Sequence, residues 1–473
     1  MRGFPLDFLP AALLLLGGLV AHASPPADAP LAQRPHSPSC PDCEVEPKFW
    51  RAAGELVVVQ VLPATFNIVT RDAEWARISL SSWATNIENP WQWDNNKFLN
   101  NQFSHPYHGS LYYMAARSNG YDFWRSAPWS FAGSLMWELL GERWAPSPND
   151  FWNTSMGGVT LGETLWRVSS LVLDNRATGS ERVLREVSAG LINPVRGFNR
   201  LVDGHAWQQA ENPSEFRPSR IVGTLDLGYG HTTGTTLGQE EVKLSTAFLA
   251  GELVYGDPVA DLTGAPFSTF DARLWLISKQ ENAKRFALLQ SRGNLAAWTL
   301  MKRERTEHLL AAFITYDYLS SPSLDYGGQG FALGPVSRWG SMEGFHLDAE
   351  LLFTPMPIVA VRSDYFVTEE GRDYDYGLGM GGRAELRASW TNRARLRASA
   401  RYLWEPVLSG FNGDHQLATL DVEARFFVIG QIGLGAAATW FIRDSRYDAF
   451  PDVSQNSRQL RVFASFAGPR WLP

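Results

Sequence analysis

Ten residues, Arg393 to Tyr402, constrain this chain more than any other stretch. They read Arg-Ala-Arg-Leu-Arg-Ala-Ser-Ala-Arg-Tyr. Side chains alternate across an extended strand, so Arg393, Arg395, Arg397, Ser399 and Arg401 share one face. Ala394, Leu396, Ala398, Ala400 and Tyr402 share the other. Two folds accept that pattern. A soluble sandwich buries the apolar face and gives the arginines to water. A transmembrane barrel gives the apolar face to lipid and the arginines to a polar lumen.

The N-terminus bears on the choice. Met1 to Ala23 has the layout of a secretory signal peptide: Arg2, an apolar run from Pro10 to Val20, and Ala21-His22-Ala23 as a small-x-small cleavage site. The apolar run is shorter than the ~20 residues a spanning helix needs, so cleavage and export are expected. Residues 24–47 form a proline-rich linker carrying Cys40 and Cys43. A local disulfide or two free thiols are expected there. Zinc would need two further ligands where only His36 is near, and Glu44, Glu46 and Pro47 argue against the helix N-terminus of a redox motif.

Charged residues are 19% of the chain and aromatics 13%, and the formal net charge is -7. With no basic run, nucleic acid is excluded as a partner. From Ser219 onward no apolar stretch approaches spanning length, yet two-period segments recur between turn residues. Leu347, Ala349, Leu351 and Phe353 oppose Asp348, Glu350 and Leu352, and Ala418, Leu420, Val422 and Ala424 oppose Thr419, Asp421 and Glu423. About twelve such strands are expected, consistent with the even count of bacterial barrels. The predicted fold is therefore α+β: a helical domain over 48–205, a connection over 206–218, and an antiparallel transmembrane β-barrel over 219–473. The lumen wall should carry Arg383, Glu385, Arg387, Arg393, Arg395, Arg397, Arg401, Asp421 and Glu423, with opposite charges meeting across strands. Aromatics near strand ends, among them Tyr229, Tyr255, Tyr316, Tyr318, Trp339, Trp390, Tyr402, Trp404, Trp440 and Tyr447, suit girdles at two membrane interfaces. Outer-membrane lipid and the barrel-assembly machinery are the expected partners, with Phe466 or Trp471 serving any C-terminal assembly signal.

The N-terminal half reads as helical. Phe49 to Val69 is apolar, with Pro63 expected to kink or end the helix. Ser147-Pro148-Asn149-Asp150 is a helix start, with a serine cap and proline at the first position, and that helix should run to about Leu173. Others are expected from Ser126 through Glu142 and from Ser180 through Gly190, and Gly157, Gly158 and Gly162 would let a second helix approach closely. Polar residues inside these helices have two readings. In one, His105, His108, Glu138 and Asp150, with Glu163, converge as an acid-base or metal site. In the other, Arg117, Asn153, Glu163 and Arg167 belong to a satisfied polar network locking helices together. No third metal ligand is fixed by spacing, and no nucleophile elbow or phosphate loop is present, so no metal, cofactor or catalytic set is assigned.

The run Asp94 to Gly120, with Phe103-Ser-His-Pro-Tyr-His-Gly109 and Ala116-Arg-Ser-Asn-Gly120, resembles the bacterial domain of unknown function 3943. Trp137-Glu138, Pro148-Asn-Asp150, Gly157-Gly158 and Gly162-Glu163 fit the same pattern, as do Tyr316-Asp-Tyr318 and Asp373-Tyr-Asp-Tyr-Gly377. The resemblance implies an exported bacterial envelope protein and no particular activity. A barrel of this size is nearly filled by its own side chains, so the helical domain should cap or plug the periplasmic mouth. The expected role is passage or envelope organisation at the outer membrane without a cofactor. The alternative is a lipid-acting enzyme using the histidines and acids above.

Overall fold

The structure, a computed structural model, describes residues 46–468 apart from 217, 236–240, 278–286, 322–323 and 391–392. The leader, the linker with Cys40 and Cys43, and Trp471 lie outside the described residues.

Twelve strands form one closed antiparallel barrel. They are β1 (Ile221–Thr235), β2 (Glu241–Tyr255), β3 (Phe270–Ile277), β4 (Ala287–Arg303), β5 (Thr306–Ser320), β6 (Asp325–Gly340), β7 (Phe345–Arg362), β8 (Tyr374–Trp390), β9 (Ala394–Ser409), β10 (Gly413–Ile429), β11 (Ile432–Tyr447) and β12 (Val453–Ala467). Each pairs with its successor, and β1 closes on β12 with Leu227 opposite Ala464. Closure leaves no edge, which is what a sheet needs in a solvent that cannot hydrogen-bond to it.

The arginine face of β9 points inward. Arg397 is buried while Leu396, Tyr402 and Trp404 are exposed on the other side. The same alternation repeats on β12, where Leu460 and Val462 face out and Arg461 and Phe463 face in. Arg393 departs from expectation: it is an exposed turn residue between β8 and β9, its carbonyl taken by the Phe427 amide at 2.8 Å. Reversal of the chain takes it out of the ladder. Tyr229, Trp339, Trp390, Tyr402 and Trp404 are exposed as lipid-interface residues would be, whereas Tyr255, Tyr316, Tyr318 and Tyr447 are covered.

The chain divides into two compact units, and the division does not follow the expected boundary. Gln92–Pro106 and Ser147–Thr160 group with the barrel, while residues up to Trp91, Tyr107–Pro146 and Leu161–Pro218 form the helical unit.

The helices are α1 (Phe49–Arg71), α2 (Leu80–Glu88), α3 (His105–Arg117), α4 (Phe123–Met136), α5 (Pro148–Trp152), α6 (Gly158–Val172), α7 (Gly179–Ile192) and α8 (Pro194–Val202). α1 continues through Pro63 without ending. Asp122, not Ser126, caps α4, accepting the Arg125 amide at 2.9 Å and leaving Pro128 inside the helix. α5 starts as the sequence indicated, Ser147 Oγ accepting the Asp150 amide at 3.3 Å. Wide π turns at Asn100–Ser104, Trp137–Gly141 and Asn153–Gly157 interrupt the helical stretches. They fall on or beside the residues that carry the resemblance. Each shifts the helical phase, so positions on either side no longer share the face that a uniform repeat predicts.

Candidate functional site

The lumen is lined with charge, and one connection at each end folds onto its inner wall. In its central layer, Arg292 meets Asp271 at 2.8 Å and Glu350 at 2.6 Å. Arg383 meets Glu385 at 2.7 Å and Glu350 at 3.0 Å, and Arg387 reaches Glu385 at 2.6 Å. Arg397 and Arg461 each hold Asp421 at 2.9 Å, with Glu423 also beside Arg397. Arg401 pairs with Asp317 at 2.9 Å. Arg425 and Arg273 converge on Glu252, and Arg425 also holds Asp226. These eight arginines face eight carboxylates, so the layer is neutral as a whole. Arg395 lies apart, its guanidinium 5.2 Å from the centre of the Phe427 ring.

Above this layer sits an apolar one made of Leu288, Leu319, Met356, Leu403, Leu417 and Phe441. Between them is a cavity of about 130 Å³, bordered by Arg383, Arg397, Arg401 and Asp317 on the charged side. It could hold a few waters or one small organic molecule.

The connections at one end are short, such as residues 304–305 and 430–431, with the exception of the long 256–269, and those at the other include 363–373. At the short-turn end the β2–β3 connection, 256–269, folds inward. Asp257 takes Arg338 at 2.7 Å, and Val259 and Leu262 pack with Leu309, Phe313, Val336 and Leu352. At the long-loop end the β7–β8 connection does the same. Asp364 receives Arg443 at 2.6 Å and the Tyr447 hydroxyl at 3.1 Å. Tyr365 stacks on Phe450 at 4.7 Å, and Phe411 lies against both Phe450 and Phe366. Beneath this lid His415 bridges Asp375 at 3.0 Å and Ser445 at 2.7 Å. All three side chains are buried, and the chain of bonds ties β8, β10 and β11 together. Nothing in the alternation flags either inward fold, because loop residues obey no period.

The two tyrosine pairs that carry the resemblance face the other way. Tyr316 alternates with Thr315 and Asp317, which line the cavity, and Tyr374 and Tyr376 alternate with Asp375 and Gly377, which look at His415 and Glu405. All three tyrosines therefore point outward, as does Tyr318, yet all are buried. What covers them is Gln92–Pro106 and Ser147–Thr160. Tyr316 donates to the Gln102 carbonyl at 2.6 Å, and Tyr374 to the Asn96 carbonyl at 2.8 Å. Asn101 and Asn149 donate to the hydroxyls of Tyr374 and Tyr376. Trp93 stacks on Tyr376 at 5.3 Å, and Phe98 lies 5.4 Å from both Tyr318 and Tyr374. Gly327 contributes by lacking a side chain: a Cβ there would meet the Gln102 side chain at 2.5 Å.

The four residues of the acid-base reading do not converge. His105 and Asp150 belong to the barrel-associated segments, 3.8 Å apart, with His105 Nδ1 also 3.2 Å from the Thr154 hydroxyl. Burial pushes the His105 imidazole pKa down, against the pull of Asp94. His108 and Glu138 belong to the helical unit, where His108 is 3.0 Å from the Val59 carbonyl and stacks edge-on with Trp137. Among the described residues no group of three or more His, Cys, Asp or Glu is placed to hold a metal.

The polar network is built around Glu163. Its carboxylate accepts Arg117 at 3.0 Å, Arg167 at 2.7 Å and the Tyr113 hydroxyl at 2.7 Å. Burial pushes the Glu163 pKa up, but the two guanidiniums outweigh it and hold the group below its ordinary range. Asn153 is not part of this hub. It sits in the π turn of the barrel-associated segment, where the altered phase takes it off the shared face.

A family model described as a domain of unknown function (DUF3943) matches residues 90–195. This stretch is similar to that domain. The match ends before the barrel, so the tyrosine pairs that grip the DUF3943 segments lie beyond it. No curated protein matches the chain. Solved structures with similar strands include the NanC porin, at 9% identity and TM-score 0.28, covering 50% of this chain and 98% of that one. Another is the COG4313 outer membrane channel from Pseudomonas putida F1, at 12% identity and TM-score 0.27, covering 53% and 95%. A FadL homologue from Pseudomonas aeruginosa aligns at 9% identity and TM-score 0.24, covering 53% and 91%. The architecture here is an outer-membrane-type barrel on its own evidence: twelve closed strands, apolar outside and charged within.

Proposed function

We propose that this is an outer-membrane passage held shut by its own connections, with the DUF3943 segments clasped to its outer wall. The observation that carries the reading is the double inward fold of 256–269 and 363–373, each anchored by an ion pair to a wall arginine. The expected plug is assigned to these loops rather than to helices, because the helical segments grouped with the barrel touch outward-facing tyrosines. Those tyrosines lie towards the long-loop end, where Tyr374 begins β8 directly after the 363–373 connection. Long loops of outer-membrane barrels face the exterior and short turns the periplasm. Attachment at the exterior half is therefore the reading these contacts support, in place of a periplasmic cap. A neutral lumen of paired charges gives no overall preference for anions.

Conductance in planar bilayers tests the passage. The intact protein should be nearly silent. Arg443→Ala combined with Arg338→Ala, which releases both anchors, should open long-lived conducting states. A double variant that keeps its heat-modifiable barrel mobility and stays silent would end the proposal.

A further inference from the structure

Three helices of the helical unit bury polar groups beside a small apolar core and leave broad apolar faces exposed. α1 turns Gln60 and Asn67 inward, where Gln60 donates to the Gly133 carbonyl at 3.0 Å. The same helix leaves Trp50, Val57, Val61, Leu62, Phe66 and Val69 exposed, Trp50 at 84% and Val69 at 77%. α7 and α8 repeat the arrangement. Arg196 is buried, donating to Ser169 and Ser170 at 2.9 and 2.6 Å. Arg200 is buried against Glu186 at 2.8 Å. Val183, Leu184, Val187 and Leu191 stand exposed. A water-soluble helix does the reverse.

The unit's helix contacts are of the kind membranes favour, with small residues at close backbone approaches. A Cβ on Gly133 would sit 2.6 Å from the Tyr112 ring, one on Gly162 2.6 Å from the Tyr113 ring, and one on Gly197 2.6 Å from the Gly190 Cα. Exposed charges such as Asp72, Arg77, Asp122 and Arg125 sit at or beyond helix ends.

We infer that the exposed apolar face of the helical unit is a lipid-contact surface, occupied by acyl chains of the bilayer that surrounds the barrel. The inference rests on the membrane reading of the barrel. Two observations choose lipid over a protein partner. The first is the inverted distribution itself, which runs over three helices rather than forming one bounded patch. The second is continuity: Gln92–Pro106, which leads directly into α3, is seated on the outward, lipid-side face of the strands. α1, at 23 residues, extends ~35 Å and matches the hydrocarbon thickness. The 14 residues of α7 reach only ~21 Å, the depth of one leaflet and its headgroups.

Site-directed spin labels on the full chain in phosphatidylglycerol–phosphatidylethanolamine vesicles test this, in a Cys40→Ser, Cys43→Ser background. Val61→Cys and Leu184→Cys report on the helical unit, and Leu434→Cys, on the outward face of β11, reports on the barrel. The expected result is that all three labels collide with oxygen at least five-fold more than with a water-soluble nickel chelate. If Leu434→Cys behaves so while both helical labels collide with nickel, the face is in water and the inference falls while the barrel reading stands. If both helical labels are shielded from oxygen and nickel alike, the surface is covered by protein and the inference also falls. A nickel-accessible Leu434→Cys overturns the barrel reading itself. Retained heat-modifiable mobility shows that each variant is folded.

Discussion

The barrel and the helical unit solve one problem in two ways. Both bury clusters of charge and leave broad apolar faces exposed. In the barrel the charge is distributed, with eight arginines and eight carboxylates in a lattice where most groups have two or more partners. In the helical unit it is concentrated, with Arg117, Arg167 and Tyr113 all meeting on one carboxylate, Glu163. A lattice tolerates the loss of a member because neighbours re-pair. A hub does not, since removing its centre leaves two buried cations facing each other.

Substitution at the hub should do the most damage. Glu163→Ala should destabilise the helical unit by about 3–5 kcal/mol, read as loss of protease resistance in residues 107–216 with the barrel's heat-modifiable mobility unchanged. An equal loss from Arg401→Ala in the lumen would erase the contrast between hub and lattice. The same hub sets a pH response. Because the folded pKa of Glu163 is lowered, its ion pairs contribute fully above the unfolded value of about 4.5 and are lost as pH falls through the folded one. Helical protection should therefore decay in acid before barrel mobility changes.

Packing should come next. Gly162→Ala places a Cβ 2.6 Å from the Tyr113 ring and should cost about 1–3 kcal/mol, seen as a lower melting temperature of the helical circular-dichroism signal. Tyr376→Phe removes an acceptor from Asn149 and should cost about 1–2 kcal/mol. Its readout is faster proteolysis at 147–160 in the folded protein. If that segment stays protected, the stacked Trp93 rather than the hydroxyl holds the clasp. The smallest effect belongs to the exposed pair Lys302–Glu307, 2.9 Å apart at the β4–β5 turn. Glu307→Ala should change stability by less than about 1 kcal/mol, a reference against which lumen substitutions can be scaled.

The sequence alone determined the barrel. A period of two, repeated from β1 to β12, reveals which face most residues take; Arg393 was misplaced because a turn interrupts the alternation, and Tyr447 because it turns in to Asp364 rather than out to an interface. It also determined the start of α5 at Ser147, since a cap and a first-turn proline act locally. The tertiary structure decided the rest. π turns at 100–104, 137–141 and 153–157 altered the helical phase, so Asn153 left the network. The inward folds of 256–269 and 363–373 join residues 81 and 79 positions apart, and the outward tyrosines that take up Gln92–Pro106 and Ser147–Thr160 join residues more than 200 apart. The arginine ladder of β9 shows both sides of this division. Its facing follows from geometry within one strand, whereas the pairing of its charges depends on which strands close beside it.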